Sequence, residues 1–208
     1  YALNRANGSL CWKFKTVGHH YFPNGEVQGS PVIFDGLVFI GARDYNVYAL
    51  DLEKGYCHWN KAFENGWALT MNIQDSTLYI GAADERILLS VNPYNGQANW
   101  KKSLEFLTFG KAGFSETMLY QGTTMGKFHA IDLTDGSTRW TFETESYLQN
   151  RHRYFKEDDT YRDDIYSIIL SNEHFLQVEE QLGGFFSGPA INDSLLVISS
   201  TNGLIYCL

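Results

Sequence analysis

The sequence predicts an all-β chain built from repeated four-stranded antiparallel units, a β-propeller with about four blades and one helical insertion. Three observations predict it. An eleven-residue motif recurs four times without gaps, at spacings of 47, 41 and 40 residues. Short apolar runs of strand length lie between turn dipeptides throughout. The composition is rich in aromatics (15%) and glycine (19 residues), with only 4 prolines, as strands joined by tight turns require.

The motif copies are ALNRANGSLCW (2–12), ALDLEKGYCHW (49–59), SVNPYNGQANW (90–100) and AIDLTDGSTRW (130–140). Each opens on a small residue, expected to end a strand where a neighbouring blade packs close. Asn4, Asp51, Asn92 and Asp132 can bond backbone N–H groups across the turn. Gly8, Gly55, Gly96 and Gly136 supply the positive φ that the turn needs. Trp12, Trp59, Trp100 and Trp140 open the next strand, each expected to dock a large ring on the adjacent unit. A fifth start shows where LIYCL (204–208) matches NVYAL (46–50).

Upstream of the motif lie further strands. Residues 29–50 read as three short strands divided by Asp35-Gly36 and by Arg43–Asn46. Residues 70–91, 113–131 and 187–208 repeat that plan, so each unit holds four strands in about 40 residues. Residues 1–15 supply the end of a third strand and a fourth; residues 186–208 supply three strands. Three arrangements stay open: a piece of a longer propeller, a small closed ring, and two chains sharing one eight-bladed ring. In any of them 1–208 is read as one propeller domain.

Residues 145–184 interrupt the repeat. They hold nine acidic and four basic residues, so −5 of the chain's −8 net charge sits there. From Asp163 onward Ile165, Ile168, Ile169, Phe175, Leu176 and Leu182 follow a helical period. Asp163 or Asp164 fits an N-cap, Ser171-Asn172 a break between two helices, and Gly183-Gly184 a stop. Insertions on repeat scaffolds often carry the binding face.

The charge of −8 and a pI near 5.2 exclude a general phosphate-backbone binder, whose footprint is basic. No apolar run approaches the roughly 18 residues of a helical span. Cys11, Cys57 and Cys207 are odd in number and far apart, so neither a disulfide framework nor a cysteine zinc site is expected. The sequence opens on Tyr1 with no signal-peptide pattern, and is expected to begin inside a longer polypeptide whose targeting segment lies upstream.

The pattern A-x-[DN]-x-x-x-G-x-x-x-W, after a G-x-[VIF]-[YH]-A strand, resembles the tryptophan-docking repeat of the PQQ-like, or quinoprotein-type, β-propellers. The resemblance covers roughly 170 residues. It implies the propeller fold and a bacterial periplasmic or cell-surface setting. It brings in three roles: the non-enzymatic lipoprotein propeller of outer-membrane β-barrel assembly, the quinoprotein alcohol dehydrogenases, and secreted propellers joined to a calcineurin-like metallophosphoesterase. The segments HHYFPNGEVQGSPV, GARDYNVYAL and CHWN look most like bacterial secreted propellers, some of which are joined to that metallophosphoesterase domain. Its metal-binding motifs (D-x-H, G-D-x-x-D, G-N-H-[DE]) are absent from the sequence, so no hydrolase activity carries over. The vicinal cysteines common in PQQ enzymes are also absent, and no cofactor is expected.

The function expected is a non-enzymatic scaffold presenting a rigid surface to a protein partner or a neighbouring domain. The alternative is the accessory domain of a larger enzyme; a PQQ-dependent dehydrogenase ranks third. Arg43, Asp44, Tyr45, Asp84, Glu85 and Arg86 fall at equivalent turns of successive blades. They form the candidate binding rim, since Arg and Tyr are favoured interface anchors. No catalytic or metal residue is assigned. His19-His20, His58, His129, His152 and His174 share no metal-ligand spacing, and Asp158-Asp159 with Asp163-Asp164 lacks an EF-hand pattern. Trp67 lies outside the docking motif and is expected on an inner strand or at the channel mouth.

Overall fold

A computed structural model describes all residues, 1–208. The chain divides into two compact units, Tyr1–Lys101 and Lys102–Leu208. Secondary structure is mainly antiparallel strand, in five sheets.

In the first unit, β1 (Ala2–Leu3) pairs with β2 (Leu10–Trp12). Two four-stranded sheets follow in meander order. One runs β3 (Val32–Phe34), β4 (Leu37–Gly41), β5 (Asn46–Asp51), β6 (Cys57–Ala62); the other β7 (Ala68–Gln74), β8 (Thr77–Ala82), β9 (Ile87–Val91), β10 (Ala98–Ser103). The β3–β4 turn places Asp35 at φ 44° and Gly36 at φ 76°, two successive left-handed residues whose twist matches a two-residue hairpin. Asp75 and Ser76 do the same between β7 and β8, at φ 46° and 59°.

Inner strands are buried nearly throughout, whereas β6 alternates and is mostly exposed. The core of the unit forms where Leu37, Phe39, Val47 and Ala49 meet Met71, Leu78, Ile80 and Leu89. The sheets approach so closely that a Cβ on Gly41 would lie 1.8 Å from the Ala68 carbonyl oxygen. Any side chain there would force them apart.

The second unit holds β11 (Gly113–Phe114), β12 (Met118–Gly122), β13 (Lys127–Asp132) and β14 (Thr138–Glu143), then the insertion. It ends with the three-stranded sheet β15 (Ala190–Ile191), β16 (Leu196–Ser199), β17 (Ile205–Cys207). The three cysteines are free and exposed.

The insertion is more helical than the sequence suggests. Helix α1 (Glu145–Asn150) and a 3₁₀ turn (Arg151–Arg153) precede the expected start at Asp163. Helix α2 is a single turn, Ile165–Ile168, and α3 runs Asn172–Leu182. The Asp164 side chain does not cap α2; it binds Arg162 instead. Ser171 caps α3 by accepting from the His174 N–H, and Gly183 ends it at φ 75°.

Thr144 ties the insertion shut. Its hydroxyl accepts from the Tyr147 N–H and donates to the Leu182 carbonyl at 2.7 Å. The helices share a core of Phe106, Met125, Tyr147, Tyr154, Phe155, Val178 and Leu182. No helix is long and apolar enough to cross a membrane.

Candidate functional site: docking turns and an aromatic rim

The motif turn is one structure written four times. Asn4, Asp51, Asn92 and Asp132 each accept, through the side-chain Oδ1, the backbone N–H two residues on. Their own carbonyls accept from Gly8, Gly55, Gly96 and Gly136 at 2.7–3.0 Å. Those glycines all sit between φ 69° and 74°. The small residue has a further reason beyond the close packing expected of it. The strand register sets Ala2 opposite Trp12, Ala49 opposite Trp59 and Ala130 opposite Trp140. It makes room for the ring on the partner strand, and Ala49 also lies in the core shared with the neighbouring sheet, as expected.

Two of the tryptophans have a fully described dock. Trp12 Nε1 donates to the Leu52 carbonyl and Trp59 Nε1 to the Pro93 carbonyl, both at 2.9 Å. In each case the acceptor is the residue after the motif's Asp or Asn. The Trp12 ring lies over Gly55 and the Trp59 ring over Gly96. Trp100 is buried and packs on Tyr79. Trp140 lies between Tyr120 and Phe128 yet stays 41% exposed.

The rim residues divide into three groups. The Arg43 guanidinium is sandwiched, 3.9 Å from the Phe22 ring centroid and 4.4 Å from that of Trp67. Such stacking holds a cation without neutralising it. Asp84 completes this cluster. Burial pushes its carboxyl up, opposed by a hydrogen bond from Trp67 and the charge of Arg43. Tyr45, at φ 65°, packs on His19 at 4.4 Å and on Phe22 at 6.0 Å.

Glu85 turns back and accepts from the Glu64 and Asn65 N–H groups, which orders the loop before Trp67. Arg86 holds φ 54° in the β8–β9 turn, its N–H bonded to the Ala83 carbonyl.

Asp44 departs from the expected rim. It is 3% exposed and accepts from the Tyr48 hydroxyl, the Gly18 N–H and the Asn46 N–H. Burial and the bond to Asp44 raise the Tyr48 phenol above its ordinary range. Asp44 is thus an internal pin for the connection that carries His19–Phe22. Phe22 and Trp67 are the rim members absent from the sequence-based set. Their only local signal was an aromatic next to a turn.

No group of three or more His, Cys, Asp or Glu side chains converges as a metal cradle. His129 lies on β13, 2% exposed through its side chain, with Nε2 3.2 Å from Glu105 and Nδ1 3.0 Å from the Thr141 hydroxyl. The neighbouring His129 ring holds the Glu105 carboxyl down at about 2 despite burial. His129 and Thr141 face each other on adjacent strands and Glu105 joins them from the connection after β10, and the acidic pairs Asp158-Asp159 and Asp163-Asp164 are spent on bonds to cations and Thr160.

Among curated proteins none matches the chain significantly. BamB from Moraxella catarrhalis superposes with a TM-score of 0.67 at 16% identity, over 97% of this chain and 53% of that one. The quinohemoprotein alcohol dehydrogenase ADHIIG from Pseudomonas putida HK5 gives 0.60 at 18% identity, over 92% and 30%. The computationally designed Ika8 protein gives 0.60 at 12% identity, over 85% and 44%. This chain therefore spans about half the length of the BamB structure and under a third of the dehydrogenase. At these identities the superpositions show the fold alone. The family model described as outer membrane protein assembly factor BamB matches residues 1–153, and the chain belongs to that family of PQQ-like β-propellers.

Proposed function

We propose that this chain is a non-enzymatic β-propeller scaffold that binds another protein in the periplasm or at the cell surface. The observation that carries the reading is the Phe22–Arg43–Trp67–Asp84 cluster. Two aromatic faces and a held cation, fixed by tight turns, form a preorganised anchor of the kind that dominates protein interfaces. Family membership supports the same role, because the matching family is described as an outer-membrane protein assembly factor. On this reading the partner belongs to that assembly process, and the rim of the first unit is the contact.

The test is site-specific photo-crosslinking in the native host. A photoreactive residue at Glu64 or Arg86, beside the rim, should yield a discrete adduct with one protein. The same residue at Lys101 on β10, an outer strand, should not. Equal labelling from both places, or none from either, would overturn the scaffold reading.

A second reading, a PQQ-dependent dehydrogenase, starts only from the fold shared with the quinohemoprotein dehydrogenases. It requires that PQQ with Ca²⁺ raise the melting temperature by mass action. An unchanged melting temperature at saturating cofactor removes it.

A further inference from the structure

The insertion carries an open apolar groove of about 370 Å³ between α2 and the start of α3. Its floor is Ile165, Ile169 and Phe175, which continue into the insertion's own core. Tyr161 closes one end. Its walls are Tyr166 and Leu170, 88% and 76% exposed. Two large apolar side chains this exposed, flanking a cleft that reaches a packed core, form a surface that gains free energy when covered.

The backbone adds a second feature. Ile169 and Ser171 are extended, at φ −96°, ψ 101° and φ −156°, ψ 166°. The N–H and C=O of Leu170 between them pair with no other backbone group. A short extended segment lying in the groove could bond both.

Charge selects the occupant. Three of the insertion's four lysines and arginines are committed internally, Arg151 to Asp159, Lys156 to Asp163 and Arg162 to Asp164. Glu157, Asp158 and Glu173 have no lysine or arginine within ion-pair distance, and Glu173 adjoins Asn172 in the groove lining. An anionic lipid surface is repelled by this field. A second copy would bring a like-charged −5 insertion against it.

We propose that this groove docks an extended, cationic and apolar peptide segment of a partner protein. Its apolar side chains fill the cleft between Tyr166 and Leu170, and a basic side chain faces Glu173. The proposal rests on the scaffold reading and names the chemistry of a partner segment for it.

The probe is an amidated octapeptide of alternating lysine and leucine, titrated calorimetrically into the 208-residue chain at low salt. Saturable one-to-one binding is expected. The affinity should fall at least tenfold in Tyr166→Ala/Leu170→Ser and in Glu173→Lys; all three positions are exposed, so these variants keep the fold. A lysine–serine octapeptide that binds equally well would reduce the effect to charge. A glutamate–leucine octapeptide that binds equally well would reduce it to greasiness. Either result overturns the proposal, as does unchanged affinity in Tyr166→Ala/Leu170→Ser.

Two further outcomes assign the groove elsewhere and also overturn it. One is a concentration-dependent dimer in light scattering that Tyr166→Ala/Leu170→Ser abolishes. The other is flotation with phosphatidylglycerol-containing vesicles abolished by the same change. The two readings fail separately. A rim crosslink that persists in Tyr166→Ala/Leu170→Ser, with no octapeptide binding, sinks the groove and leaves the scaffold. Octapeptide binding without any rim crosslink does the reverse.

Discussion

Trp59 donates its indole N–H to the Pro93 carbonyl at 2.9 Å while its ring covers Gly96. One side chain thereby joins the outer strand of one sheet to the turn that opens the outer strand of the next. The same bond and the same cover link Trp12 to Leu52 and Gly55. Removing the Trp59 ring leaves a cavity and an unpaired carbonyl, so Trp59→Ala should cost about 3 kcal/mol. Trp140, exposed on one side, should cost about 1 kcal/mol less. Denaturant midpoints of the two variants check this; equal shifts would mean that the dock contributes nothing beyond area.

The glycines beneath the rings give a sharper contrast. Gly8 and Gly55 share nearly the same φ, 72° and 74°. Nothing lies within 4 Å of a Cβ on Gly8, whereas a Cβ on Gly55 would meet the Trp12 ring at 2.5 Å. Gly8→Ala therefore carries only the left-handed backbone cost, about 1 kcal/mol. Gly55→Ala adds overpacking, about 1–3 kcal/mol more. Thermal melts of both, with Trp12 fluorescence as a local reporter, should show a displaced indole only in Gly55→Ala.

These docks were legible in the sequence because their parts are local. The Asx residue, the glycine and the tryptophan fall within eleven positions, and turn chemistry alone assigns each a task. The rim was only half legible. Arg43 and Asp84 stand at turns, but Phe22 and Trp67 reach them from irregular connections in separate segments of the chain. Asp44 reads as a turn acid, and only the Tyr48 hydroxyl and the Gly18 N–H above it make it internal. Helix α1 gave no periodic signal because Tyr147 is its one buried side chain. Its start depends on the Thr144 hydroxyl, whose second partner, Leu182, lies 38 residues away.

Glu179 makes the insertion's attachment depend on pH. It is 2% exposed, and its Oε1 has no hydrogen-bond partner. Burial raises its carboxyl to about 7, outweighing the opposing effect of the nearby Thr124 hydroxyl. A raised folded-state value means that the native chain holds the proton more tightly than the unfolded one. Its stabilising contribution is complete below about pH 4.5 and is lost as pH rises through 7. The melting temperature should therefore fall between pH 5 and pH 8. Glu179→Gln should flatten that slope and stabilise at pH 8 by up to about 3 kcal/mol. A wild-type slope retained in Glu179→Gln would assign the effect to another group.

Asp159 works in the opposite sense. It is bound by Lys127, Tyr147 and Arg151, and Lys127 also reaches Glu143 at 3.1 Å. Burial alone would raise the Asp159 carboxyl, but the bonds from Lys127, Tyr147 and Arg151 outweigh it and hold the group below its ordinary range. Its contribution is present above about pH 4 and lost as pH falls through that lowered value. Removing only this carboxylate leaves the Lys127 ammonium, whose side chain is 9% exposed, with Glu143 alone and takes the shared partner from Tyr147 and Arg151, so Asp159→Asn should cost about 3 kcal/mol. Replacing the cation as well should recover much of that loss, because a buried pair exchanged for apolar groups is often close to neutral. Urea melts of Asp159→Asn, Lys127→Met and the double variant, followed at 222 nm, complete the cycle. Single losses that simply add would show that Lys127 and Asp159 are not coupled, and that the insertion is held by Thr144 and its apolar core alone.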